Sequence, residues 1–192
     1  MSESRSPAGG RYQRSSGGLV GAMVVTVLAV LAIVAVRGLN GDNEATPVRA
    51  VDYAAMERAG RADGKLLVMA PPTLPAGWKA TSATYETGST PTWHLGMLTD
   101  DDKYVGVEEA LGGVESLVKE HVDADAEQGR DVTIGGETWQ SWSDPGGDYA
   151  VSRSLQRDGT TYESWIVVGT APQGEIRDFA ATLEGGDLPA AE

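Results

Sequence analysis

The sequence predicts an α+β protein: one N-terminal transmembrane helix, then an extracytoplasmic domain made of a curved antiparallel sheet with helices packed on a face. Three observations predict it. An uncharged apolar run fills residues 17–36. Beyond it, short stretches rich in β-branched and aromatic residues recur, separated by Gly-, Asp- and Pro-rich turns. Between these stretches lie segments with helical character, and antiparallel strand runs with interspersed helices define the α+β class.

The apolar run comes first. From Gly17 to Val36 there are 20 residues without a charge. At about 1.5 Å per residue they span roughly 30 Å, the thickness of a bilayer's hydrocarbon core. A cleaved signal peptide has a shorter apolar region, about 7–15 residues, closed by small residues in an A-x-A pattern. Here the run ends Ala32-Ile33-Val34-Ala35-Val36-Arg37, without that pattern, and the absence of cysteine excludes a lipoprotein cleavage site. The reading is an uncleaved signal anchor over 17–37. It follows a disordered tail over 1–16 and precedes a polar linker over 38–50. Arg5, Arg11 and Arg14 against Glu3 alone place the tail in the cytoplasm by the positive-inside rule. The expected location is the cell membrane, single-pass, with the C-terminal domain outside.

The chain carries 15 basic and 28 acidic residues. The tail holds three of the bases and one of the acids, so the net charge from Arg37 onward is about −15. Such a domain does not bind nucleic acid, whose affinity comes from Lys and Arg set against phosphate. Without cysteine it relies on its core alone. All five tryptophans (Trp78, Trp93, Trp139, Trp142 and Trp165) and the single phenylalanine, Phe179, lie in this outer part.

Its expected domain runs from 51 to 185. Residues 51–62, mostly Ala, Glu and Arg, read as a helix stopped by Asp63-Gly64. Leu66 to Met69 reads as a short strand closed by Pro71 and Pro72. After the turn Pro75-Ala76-Gly77, Trp78 to Tyr85 is a strand. Thr92 to Leu98 and Tyr104 to Glu108 form a hairpin across Thr99-Asp100-Asp101-Asp102-Lys103, with Trp93, Leu95 and Met97 on one face and His94 on the other. A helix from Val114 to about Glu127 sets Val114, Leu117, Val118 and His121 on one side, and Gly129 is its expected cap. Asp131 to Ile134 and Thr138 to Trp142 meet across Gly135-Gly136, and Tyr149 to Gln156 and Thr161 to Val168 across Arg157-Asp158-Gly159. The last strand is apolar on both faces, as expected of a central one. Pro172 opens a final helix with the stripe Ile176, Phe179, Ala180 and Leu183. Residues 186–192 are expected to fray.

Little chemistry is legible. Asp123, Asp125 and Glu127 resemble the start of a calcium loop, but its required Gly and Glu positions hold Gln128 and Ile134. There is no G-x-S-x-G elbow and no phosphate-cradling glycine pattern. Nothing pairs His94 or His121 with a serine. No catalytic residue, metal site or cofactor is therefore expected. The candidate ligand-binding residues are Trp93, His94 and Trp139, since exposed tryptophans offer flat apolar area with a polar handle.

Several segments nevertheless resemble a known family. Arg11-Tyr12-Gln13-Arg14 runs into Gly21-Ala22-Met23. Val51-Asp52-Tyr53, Leu74-Pro75-Ala76-Gly77-Trp78 and Thr92-Trp93-His94-Leu95-Gly96 with Tyr104-Val105-Gly106 follow. Together they resemble the actinobacterial single-pass membrane proteins known as domain of unknown function 4245, over about residues 11–185. The resemblance implies an N-terminal anchor and an extracytoplasmic domain, and no activity or catalytic residues.

The expected function is a non-enzymatic interaction module at the outer membrane face. Its partners are membrane lipid, through the anchor, and another envelope protein. The alternative is a binding or carrier domain for an apolar envelope molecule. A third reading is a hydrolase using a carboxylate that the sequence does not single out. A cavity bordered by Trp93 and His94 with converging acids favours the third.

Overall fold

The computed structural model describes residues 49–187. The expected tail and anchor, most of the linker, and residues 188–192 lie outside them. Among the described residues no helix is long and apolar enough to cross a membrane.

Among the described residues three helices and eight strands follow in order: α1 (Ala54–Asp63), β1 (Lys79–Glu86), β2 (Thr92–Leu98), β3 (Tyr104–Leu111), α2 (Val114–His121), β4 (Glu127–Gln128), β5 (Val132–Ile134), β6 (Glu137–Ser143), β7 (Tyr149–Asp158), β8 (Thr161–Gly169) and α3 (Gln173–Ala180). The strands form one antiparallel sheet in the order β1-β2-β3-β8-β7-β6-β4, with β5 also paired to β6. Two meanders, β1-β2-β3 and β6-β7-β8, are thus sewn together by the β3–β8 ladder. The turns obey their chemistry. Gly135 and Gly136 both hold positive φ, 60° and 85°, as a two-residue hairpin turn of the mirror-image type requires.

As expected of a central strand, β8 is apolar on both sides, and each side meets a separate core. On one face Trp165 and Val167 join Trp93, Leu95, Met97, Val105, Val107 and Val151 beneath Ile176 and Phe179 of α3. On the other, Ile166 and Val168 pack with Ala150 under Val114, Leu117 and Val118 of α2. The helices therefore cover both faces of the sheet, not one. The reason lies in the period-2 pattern of β8, which leaves apolar side chains on both sides to be covered.

Two further expectations are corrected. Leu66 to Met69 is not a strand; only Ala70 bridges, to Glu184. Val68 sits at φ 54°, a left-handed conformation that interrupts any extended run. Helix α2 stops at His121, well short of Glu127. There the Asp123 carboxylate accepts the amide of Asp125 at 2.7 Å, an Asx turn competing with the helix ladder. The chain then extends, so Glu127 and Gln128 pair with Ser143 and Trp142. Gly129, the expected helix cap, donates its amide to Ser141 at 2.8 Å and continues that ladder.

Candidate functional site

Strand alternation places Ser82 on β1, His94 on β2 and Glu108 on β3 on the same face of the sheet, beside α2. His94 and Glu108 are direct cross-strand partners. Ser82 is brought diagonally to His94 by a β-bulge at Thr81, which shifts the β1–β2 register between Ala80 and Ser82. The result is a hydrogen-bonded line across three strands. Ser82 Oγ lies 2.7 Å from His94 Nε2, and His94 Nδ1 lies 2.6 Å from Glu108 Oε1. In the neutral imidazole, Nδ1–H donates to the carboxylate and Nε2 accepts the serine hydroxyl. The carboxylate also raises the pKa of His94 above its ordinary value, against the opposing effect of burial. Glycine makes the room: a Cβ on Gly96 would stand 2.5 Å from Ser82 Oγ and 3.2 Å from His94 Nε2.

His94 and Glu108 of this line border a cavity of about 250 Å³ between this face and α2. His94, Glu108 and Ala110 line it from the sheet, and Leu117, Glu120 and His121 from the helix. Glu86 and Thr92 complete the wall. His121 Nδ1 approaches Glu108 Oε1 to 3.9 Å, so two imidazoles address one carboxylate. The cavity gathers the carboxylates of Glu86, Glu108 and Glu120. Among the described residues no group of three or more His, Cys, Asp or Glu could hold a metal ion.

Of the three residues expected to bind a ligand, only His94 presents its side chain here. Trp93 borders the cavity, but its side chain lies on the opposite face. There it is fully buried and donates its indole N–H to the Met69 carbonyl at 2.9 Å. Trp139 is buried on that face too, edge-on to Trp165 at 6.3 Å. Trp142, three residues on, lies on the other side and donates to Ser152 Oγ at 2.8 Å. Trp93, Trp139 and Trp165 are buried in the core, and Trp78 and Trp142 pack half-buried against it.

Ser82 and Glu108 were not singled out by the sequence. Glu108 had a legible signal: a hairpin centred on Asp101 puts 94 opposite 108. Ser82 had none, because the bulge that aims it leaves no mark in the residue pattern.

Glu109, next to Glu108 but on the other face, performs a structural task. With Glu163 it lies fully inside the larger core. Glu109 accepts the amides of Val68 (3.1 Å) and Met69 (2.6 Å), and Glu163 accepts that of Leu67 (2.5 Å). Arg157 pairs with Glu163. Successive amides around a left-handed residue form a concavity suited to anions, and here two carboxylates fill it. They replace the strand partner that 66–69 lacks. Burial, then the hydrogen bond with Glu163, pushes the pKa of Glu109 well above the usual carboxylate range.

The fold and site define an α+β domain: one antiparallel sheet, helices on both faces, and an acidic, histidine-bearing cavity on one side. Residues 11–183 match the family described as Protein of unknown function (DUF4245), and the chain belongs to that family. No curated protein matches the chain. Two solved structures share limited likeness: MucB in complex with MucA(peri), at 18% identity and TM-score 0.36, and the MucA/MucB complex of Pseudomonas aeruginosa, at 16% and 0.35. Each alignment covers 62% of this chain, and 37% and 35% of the respective matched chain, so this chain spans little more than a third of their length. A likeness of that size carries nothing about activity.

Proposed function

We propose that this is a membrane-tethered envelope protein whose acidic outer domain is an interaction module, docking a partner through a basic side chain seated in the cavity beside His94. Residues 17–37 supply the tether, with the N-terminus inside. The observation that carries the docking reading is the cavity itself. At about 250 Å³ it falls below the roughly 300–1,000 Å³ of pockets that enclose whole small molecules. It suits one long side chain. Its carboxylates Glu86, Glu108 and Glu120 select a cation, and complementary charge sets partner choice and encounter rate. The carrier reading loses its support, since Trp93 and Trp139, the rings meant to line an apolar groove, are buried in the core.

A photo-crosslinking residue placed at position 92, an exposed position on the cavity wall, tests the reading in intact cells. One envelope protein should be captured through a segment containing Lys or Arg. Capture should weaken in a Glu86→Gln/Glu120→Gln double variant carrying the same probe at position 92, and in raised salt. Capture unaffected by both changes, or no specific partner, sinks the docking reading. A reporter fused to either terminus tests the tether: activity of a periplasm-dependent reporter at the N-terminus would overturn the orientation.

A further inference from the structure

We propose that Ser82, His94 and Glu108 form a nucleophilic site, with Ser82 attacking the carbonyl of an ester. The nucleophile assignment rests on the hydrogen-bonded line and stands whether or not the cavity docks a partner; only the substrate class draws on the cavity's charge.

Two separate contacts are required of such a site, and they must use different ring nitrogens. The nucleophile must reach the base within about 2.6–3.2 Å, and a third group must hold the base from its other side. Ser82 Oγ meets Nε2 at 2.7 Å and Glu108 meets Nδ1 at 2.6 Å. A carboxylate on Nδ1 fixes the tautomer in which Nε2 is free to accept the serine proton, and it stabilises the imidazolium that then forms. The three side chains stand on three paired strands, a rigid support that holds them to hydrogen-bond geometry. The bulge at Thr81 aims Ser82, and Gly96, lacking a Cβ, gives the Ser82–His94 contact the room it fills. Ser82 is half-buried, and the His94 side chain keeps 31% of its surface exposed, so a substrate can reach both.

The step balances. The Ser82 hydroxyl proton passes to Nε2 as the Oγ–C bond forms. The tetrahedral adduct collapses, the ester C–O bond breaks, and the alcohol leaves with the proton from Nε2. Water then adds by the same route, giving a carboxylic acid and restoring Ser82. Ser82 is not among the residues lining the cavity, but His94 and Glu108 are, so the cavity's charge biases the substrate class. Glu86, Glu108 and Glu120 repel carboxylate- and phosphate-bearing esters, so neutral or cationic esters fit. His94 acts on the proton and Ser82 on carbon. Glu108 is a positioning residue.

The test uses the full chain in detergent, treated with a fluorophosphonate probe, with the adduct mapped by mass spectrometry. Ser82 should be the labelled residue, and labelling should vanish in Ser82→Ala. His94→Gln should label about 10²-fold or more slowly, the usual scale of a lost general base. Glu108→Gln should slow labelling and shift its pH midpoint downward, because the imidazole loses the group that favours its charged form; a structural role would leave that midpoint in place. Should His94→Gln fail to fold, the wild type decides. Its labelling rate must rise with the same midpoint as the deprotonation of His94 followed by NMR. No adduct at Ser82, a His94→Gln rate equal to wild type, or a pH profile that does not follow His94 overturns the proposal.

Discussion

His94 and Glu108 face each other directly across the β2–β3 ladder, with Nδ1 and Oε1 2.6 Å apart. The pair couples sheet register to charge. Because Glu108 raises the His94 pKa, the folded state holds a proton that the unfolded chain releases more readily. The stabilisation is fully present below about pH 6.5, the unfolded value of histidine, and is lost as pH rises through the higher folded value. Thermal unfolding followed between pH 5 and 9 should show this loss, and Glu108→Gln should remove it. An unchanged pH dependence in Glu108→Gln would assign the effect elsewhere.

The buried carboxylates of the opposite face predict a second pH effect. Glu109 remains protonated in the fold above the pH at which the unfolded residue ionises, so stability should decline as pH rises from about 4.5 toward the raised folded value. Glu109→Gln imitates the neutral acid and should flatten that decline, at a cost of about 1–3 kcal/mol for the amide it leaves unpaired. Glu163→Gln should cost more, about 3–5 kcal/mol, because it strips Arg157 of its partner and loosens the hold on Leu67. Urea unfolding of the three proteins across pH separates these outcomes.

Gly96→Ala should disconnect the site without unfolding it. The added methyl displaces Ser82 Oγ, the free end of a side chain, from 2.5 Å away. Alanine also suits a strand interior better than glycine does. We expect a stability change within about 1 kcal/mol together with loss of the Ser82–His94 contact, seen as a shift of the His94 Nε2 resonance. A large drop in stability with that resonance unmoved would contradict the geometry.

Trp139→Ala should cost about 3–5 kcal/mol, the usual price of deleting a buried indole, because the ring lies in the core edge-on to Trp165. Denaturant unfolding measures it. A loss below about 1 kcal/mol would place the ring at the surface and restore the apolar-groove reading.

Some elements were legible because their signals are local. The β2–β3 and β7–β8 hairpins follow from alternation around turn residues. The two-sided apolar pattern of Thr161 to Val168 marks β8 as central, and the α3 stripe shows in Ile176, Phe179 and Ala180. The errors have one cause in common. Leu66 to Met69 looks like a strand because its apolar run does not reveal Val68 at φ 54° or the carboxylates, 41 and 96 residues away in sequence, that take its amides. Helix α2 looks longer than it is because periodicity cannot register the competing turn at Asp123.

By itself the sequence determined the α+β class, the family, the acidic charge, and the opposite faces of Trp93 and His94, since period-2 alternation and composition need no long-range contact. Only the tertiary structure decided that helices cover both faces, that Trp93 and Trp139 are core, and that Ser82, His94, Glu108 and His121 converge. That convergence depends on a bulge, a cross-strand register and a helix seated on the sheet. Each is set by packing between segments distant in the chain, where local residue patterns carry no information.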